Sequence, residues 1–210
     1  MKIVLHNYWR SSASHRVRIG LGLKGLPYEY VIVNILHKQQ HDDAYRAKNP
    51  MAQVPTIVID DISLTQSLPI LEYLEERFPT PPLLPRDPYL RARCRILAEI
   101  VNSGIQPLQN LTTTKAVKAF GGDADAWPRP FIADGLAAFA HSAKDTAGKF
   151  CVGDTPTIAD CFLIPQLASA RRFGVDLAKH AQLLDIEQAC LAMPAFADAA
   201  PDRQPDAVKS

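Results

Sequence analysis

The sequence has no surplus of charge of either sign, no Cys-x-x-Cys pair, no apolar run long enough to cross a bilayer and no internal repeat. Each absence excludes something. With 23 basic against 22 acidic side chains in 210 residues there is no bulk field to draw nucleic acid or a lipid surface, so the expected partner is a small molecule. Charged residues at 21% and hydrophobic residues at 47% are ordinary for a globular chain, so neither disorder nor a membrane span is expected. Met1 to Tyr8 reads as a strand, which leaves no room for a signal-peptide apolar region and points to the cytoplasm. Cys94, Cys151, Cys161 and Cys190 have no ligand-like spacing with histidine. No metal site is expected, and the four read as reduced core thiols.

What is present starts with Arg10-Ser11-Ser12-Ala13-Ser14-His15-Arg16-Val17-Arg18. Ahead of it, Ile3, Val4 and Leu5 form a β-branched apolar run closed by Tyr8 and Trp9, which predicts a buried strand. Behind it, Val17, Ile19, Leu21 and Leu23 alternate with Arg18, Gly20, Gly22 and Lys24, a pattern that suits strand or helix. Three serines of the N-cap type decide for a helix starting near Ala13. Such a start leaves backbone N–H donors and the positive end of a helix dipole facing outward. The residues alone leave two readings open: the serines only cap the helix, or they also receive an anion.

Tyr28 to Ile35 predicts a second strand, parallel to the first across a right-handed crossover. His37 to Lys48 has no apolar face and reads as a loop or short exposed helix, ended by Asn49-Pro50. Val54 to Ile59 and Ile62 to Thr65 predict a hairpin about Asp60-Asp61, and Ser67 is expected to cap a helix with Leu68, Ile70, Leu71, Leu74 and Phe78 on one face. Five prolines from Pro79 to Pro88 mark a stiff linker. Helical patterns follow at Tyr89 to about Ile105, Ala124 to about Ala147, Thr157 to about Phe173, Leu183 to Ala192 and Ala195 to Ala200, before a polar tail from Pro201 to Ser210. Thr157 and Asp160 suit a capping box. The expected fold class is thus α/β plus all-α: an N-terminal βαβ-ββα domain over 1–79, a linker over 80–87, and a helical domain over 88–210.

These pieces together resemble the zeta class of the glutathione transferases, whose members include maleylacetoacetate and maleylpyruvate isomerases. The resemblance rests on Arg10-Ser11-Ser12-x-Ser14-x-Arg16-Val17-Arg18-Ile19, Asn49-Pro50, Gln53-Val54-Pro55 and Gln66-Ser67. It continues through Gly104-Ile105-Gln106-Pro107-Leu108-Gln109-Asn110, Val152-Gly153-Asp154, Thr157-x-Ala159-Asp160 and Ala170-Arg171-Arg172-Phe173. It implies a thioredoxin-like first domain, a helical bundle, a homodimer, and glutathione as cofactor. It assigns the thiolate to Ser11 with Ser12 beside it, the γ-glutamyl carboxylate to Gln66 and Ser67, and the cysteinyl backbone to Val54, in the segment Gln53-Val54-Pro55, with Pro55 cis. Gln40 would reach the glycyl end, or else be solvated surface. The class usually has Cys where this chain has Ala13, so a protein thiol at that point takes no part.

The implied activity is cis-trans isomerisation of a maleyl diacid by reversible thiolate addition. That chemistry needs cations for carboxylates, and Arg172 and Arg10 are the candidates. As a helix pair, Arg171 and Arg172 equally suit a solvated charged face; the resemblance favours a function for Arg172 alone. Gln106, Gln109 and Asn110 either line the pocket or are plain polar residues at a helix end. His15 reads as a packing or hydrogen-bonding residue of the first helix rather than a base. Conjugation or dehalogenation of small α-haloacids, and a non-catalytic binding module on the same fold, are the alternatives.

Overall fold

Strand β1 (Ile3–Asn7) is paired on both sides, which is why its apolar residues can be buried. It runs parallel to β2 (Glu29–Ile32) and antiparallel to β3 (Thr56–Ile59), and β3 pairs antiparallel with β4 (Ile62–Thr65), giving the order β2-β1-β3-β4. The computed structural model describes residues 1–208; Lys209 and Ser210, the end of the expected polar tail, lie outside the described residues. The chain divides into two units: residues 1–83 with the segment from Met193 onward, and residues 84–192.

In the first unit, helices α1 (Ser12–Leu23) and α3 (Ser67–Arg77) cover one sheet face, and the short α2 (Asp43–Arg46) follows two 3-10 turns after β2. The core joins Ile3, Leu5, Val17, Leu21, Ile57, Ile59, Ile70 and Leu74. Each such side chain contributes about 1.5–3 kcal/mol on burial. Strand β2 is shorter than Tyr28 to Ile35 because the Asn34 side chain accepts from the N–H groups of Leu36 and His37, turning the chain into a 3-10 turn. The hairpin turns at Asp60, whose φ of 52° is a left-handed conformation that Asp tolerates. Lys24 is buried and donates to Glu75 and to the carbonyls of Phe78 and Pro81 at 2.6–2.7 Å, which ties the start of the proline-rich segment to α1.

The second unit is helical: α4 (Pro88–Glu99), a π-wound stretch (Ile100–Ile105), α5 (Gln106–Gln109), α6 (Leu111–Ala119), α7 (Pro128–Ala143), α8 (Ile158–Arg172) and α9 (Ala181–Leu191). Helix α8 buries twelve of its fifteen residues and is the centre of this unit. The helix expected over Tyr89 to Ile105 changes winding where Ser103 donates back to the Glu99 carbonyl. Asp160 closes the capping box of α8: its carboxylate accepts from the Thr157 N–H at 2.7 Å, the Thr157 hydroxyl at 2.9 Å and the Cys151 N–H at 2.9 Å.

The sequence reading carries the helical domain to residue 210, whereas the chain from Met193 packs with the first unit. Helix α10 (Pro194–Ala197) lies against α1 at Gly22, where a Cβ would stand 3.1 Å from the Ala195 backbone, and Arg18 donates to the Ala199 carbonyl at 3.0 Å.

Candidate active site

The run from β1 into α1 folds as a tight turn over Tyr8–Ser11, closed by the Ser11 N–H on the Tyr8 carbonyl at 3.0 Å. Ser11 is the N-cap of α1, with extended backbone and its Oγ accepting from the Ser14 N–H at 3.2 Å. A capping hydroxyl accepts through a lone pair and keeps its proton to donate. The two readings left open by the residues are therefore compatible: one hydroxyl can cap the helix and face an anion. Ser12 opens the helix beside it, both serines are half-buried, and the α1 N-terminus adds its positive end. Arg10 is exposed in the same turn, its guanidinium 5.8 Å from the Trp9 ring centroid.

A second element of the site precedes β3. The Gln53 carbonyl accepts from the Tyr45 hydroxyl at 2.5 Å and from the Asn49 side chain at 2.7 Å, and the Val54–Pro55 bond is cis, as expected. The ladder with β1 begins only at Thr56, so Val54 is left outside it, held by a pinned neighbour. An extended peptide can pair there as an added strand.

The third element is the start of α3. Ser67 was expected to cap this helix; it is instead its first residue, and Gln66 precedes it at φ 69°, ψ 125° with no side-chain cap bond. A non-glycine residue in that region is strained, and such strain is kept where surrounding contacts over-determine it. Ser67 is buried and its Oγ accepts from Arg16 at 3.1 Å. Arg16, buried on α1, thus braces the α3 N-terminus, whose first N–H groups suit a carboxylate.

Gln40 is half-buried, and its Oε1 is a buried acceptor without a hydrogen-bond partner. The first unit thus offers a donor hydroxyl at one helix start, a backbone segment outside the ladder, a second helix start and an amide oxygen without a partner. A separate pocket of about 280 Å³ is lined by His6, Val33, Gln39, Asp42, Tyr45 and Lys48 among others, and none of Ser11, Val54, Gln66 or Ser67 borders it. His15 is 3% exposed; burial, then Arg18 and Arg16, lower its pKa to about 3, which leaves it neutral and suits packing rather than proton uptake.

The remaining candidates belong to the second unit. Arg171 forms a two-pronged pair with Glu187 at 2.5–2.6 Å, whereas Arg172 is exposed, its guanidinium 4.8 Å from the Phe173 ring centroid. Gln106 accepts from Gln109, which exchanges two hydrogen bonds with Gln166 of α8, and Asn110 caps α6 by accepting from the Thr112 N–H. Sequence reading missed Tyr45, Asn49 and Arg16 as supports. The only signal available was an arginine on an otherwise apolar helix face, which requires a buried partner that periodicity does not name.

Residues 5–82 match the family model for the glutathione S-transferase N-terminal domain. The chain is 47% identical to maleylacetoacetate isomerase of Rattus norvegicus over 207 residues, 98% of this chain and 95% of the rat protein. Maleylacetoacetate isomerase from Anaeromyxobacter dehalogenans 2CP-1, solved with GSH in its active site, superposes with a TM-score of 0.90 at 50% identity, over 99% of this chain and 98% of that one. A bacterial zeta-class maleylpyruvate isomerase in its holo form superposes at 0.94 with 43% identity, over 98% of this chain and all of that one.

Proposed function

The chain belongs to the zeta class of the glutathione S-transferases, and from that membership we propose that it is a glutathione-dependent cis-trans isomerase of a maleyl diacid, maleylacetoacetate or maleylpyruvate. The observation that carries the reading within this chain is the Ser11 hydroxyl, spent on the cap only as an acceptor, at the N-terminus of α1. Bound glutathione supplies a thiol whose thiolate adds reversibly to the cis double bond. A free thiol near pKa 8.5 is mostly protonated at neutral pH, so the Ser11 proton and the helix end act by favouring the charged form. Val54 aligns the peptide, Gln66 and Ser67 hold the γ-glutamyl end, and Gln40 meets the glycyl end. Arg10, in the turn that carries Ser11, is assigned to a diacid carboxylate, and Arg172 is the helical unit's candidate for one.

Ala13 removes any protein thiol from the α1 start, and the free cysteines among the described residues, Cys94, Cys151, Cys161 and Cys190, are all buried. The reaction therefore depends on the sulfur of glutathione alone. A cytoplasmic setting is part of the same reading; no described helix is long and apolar enough to cross a membrane. The family resemblance supports a homodimer, which light scattering would test. Calorimetry with glutathione tests the reading: binding with one site per chain, weakened at least tenfold by Gln66→Ala, is expected. No heat of binding by the folded wild-type protein would overturn it.

A further inference from the structure

We propose that Asp206, in the terminal segment, is a positioning residue for the thiolate-binding turn: with Arg18 it holds the two peptide groups that flank Trp9 and so fixes where Ser11 presents its hydroxyl. The Trp9 N–H donates to Asp206 Oδ2 at 3.1 Å, and the Trp9 carbonyl accepts from Arg18 Nη2 at 3.0 Å. Trp9 is the second residue of the turn that Ser11 closes on Tyr8. The two peptide groups that flank the Trp9 Cα are therefore each held by a charged side chain, one from α1 and one from the terminal segment. Charge-assisted bonds of this kind are stronger and more directional than neutral ones.

Each of the two clasping groups is itself fixed. Asp206 Oδ1 accepts from the Tyr30 hydroxyl of β2 at 2.5 Å. Burial, and then that bond, raise the Tyr30 pKa, so the hydroxyl remains a donor. Arg18 is 2% exposed and spends its other N–H groups on the Asn7 side chain and the Ala199 carbonyl, each at 3.0 Å. The terminal segment has other means of docking. Phe196 is buried, Ala195 sits against Gly22, and the Ala199 carbonyl accepts from Arg18 at 3.0 Å, while Gln204 holds the segment's own shape by donating to the carbonyls of Asp198 and Ala200. Docking is thus provided for without the Asp206 carboxylate, whose two oxygens are committed to Trp9 and Tyr30. A carboxylate used in this way sets the orientation of the turn.

The proposal rests on Ser11 being the thiolate partner, and the experiment separates the two. The pKa of the bound glutathione thiol is read from thiolate absorbance in wild type, Ser11→Ala, Asp206→Ala, Asp206→Asn and Tyr30→Phe, alongside kcat, KM and melting. Asp206→Ala is expected to raise that pKa and lower kcat about tenfold with KM changed less than twofold, since a misplacement of this order costs up to ~100-fold. Asp206→Asn, which keeps an acceptor for the Trp9 N–H, is expected to restore most of kcat, and Tyr30→Phe, which frees Oδ1 but leaves Oδ2 on Trp9, to raise the thiol pKa by less than Asp206→Ala does. If Asp206→Ala does not fold, Asp206→Leu, which keeps the side chain's branched shape but offers the Trp9 N–H no acceptor, carries the same readouts. A thiol pKa raised by Ser11→Ala but unmoved by loss of Asp206, with only melting lowered, overturns the clasp. A thiol pKa unmoved by Ser11→Ala overturns the assignment of Ser11 itself.

Discussion

Ser11 has two duties, accepting from the Ser14 N–H and offering its own proton, and alanine would remove both. Aspartate separates them. An Asp side chain caps a helix as well as Ser does but has no proton to donate and repels a thiolate. Ser11→Asp is expected to melt within about 0.5 kcal/mol of wild type while isomerisation falls at least 100-fold, the scale of losing an anion-stabilising donor. Activity retained in that variant would pass the role to Ser12 or to the helix end. His15 gives a pH prediction at the same scale. Its folded pKa, about 3, lies below the usual 6.5, so the folded protein binds fewer protons than the unfolded chain between those values. The stability it contributes is fully present above pH 6.5 and is lost as pH falls toward 3, on the order of 5 kcal/mol in all. Denaturant titrations from pH 7 to pH 4 should show a flatter acid limb in His15→Gln, and superimposable limbs would contradict this. Neither effect was legible from residue types alone. A serine before a helix reads equally as cap or donor, and burial of His15 between arginines depends on packing that local pattern does not encode.

At the level of elements, β1, α1, the β3–β4 hairpin and α8 were legible because their apolar periods coincide with strong boundary residues, Ser11 before α1 and Thr157 with Asp160 at α8. Helix α6 was not. Its run Leu111-Thr112-Thr113-Thr114-Lys115 buries no residue, so it has no apolar stripe, and only the Asn110 cap marks it. The start of α3 misled for a different reason: Ser67 is a cap by type, yet its hydroxyl is taken by Arg16, a contact 51 residues distant in sequence. The α8 cap supports a stability prediction. Asp160→Ala leaves the N–H groups of Cys151 and Thr157 and the Thr157 hydroxyl without their acceptor in a buried place. A loss of about 3 kcal/mol is expected. Equal melting curves for variant and wild type would remove the capping box from the account.

Across the whole molecule, the family was legible because its motifs are spread along nearly the full length, from Arg10 to Phe173, and no single one had to bear the inference. The segment from Met193, which belongs to the first unit, carries no such motif. A polar, proline-bearing tail offers no pattern that would tell a frayed end from a segment fastened through Arg18 and Asp206, because those bonds join residues 181–197 positions apart. The choice between a conjugating enzyme and an isomerase lies at this scale too, since a glutathione site serves either reaction. The most direct measurement follows maleylacetoacetate and maleylpyruvate to their trans isomers while the glutathione thiol is titrated before and after. The account predicts many turnovers per glutathione with the thiol titre unchanged and no conversion when glutathione is left out. No conversion of either diacid by the folded protein at saturating glutathione, or loss of one thiol for each product formed, would contradict it.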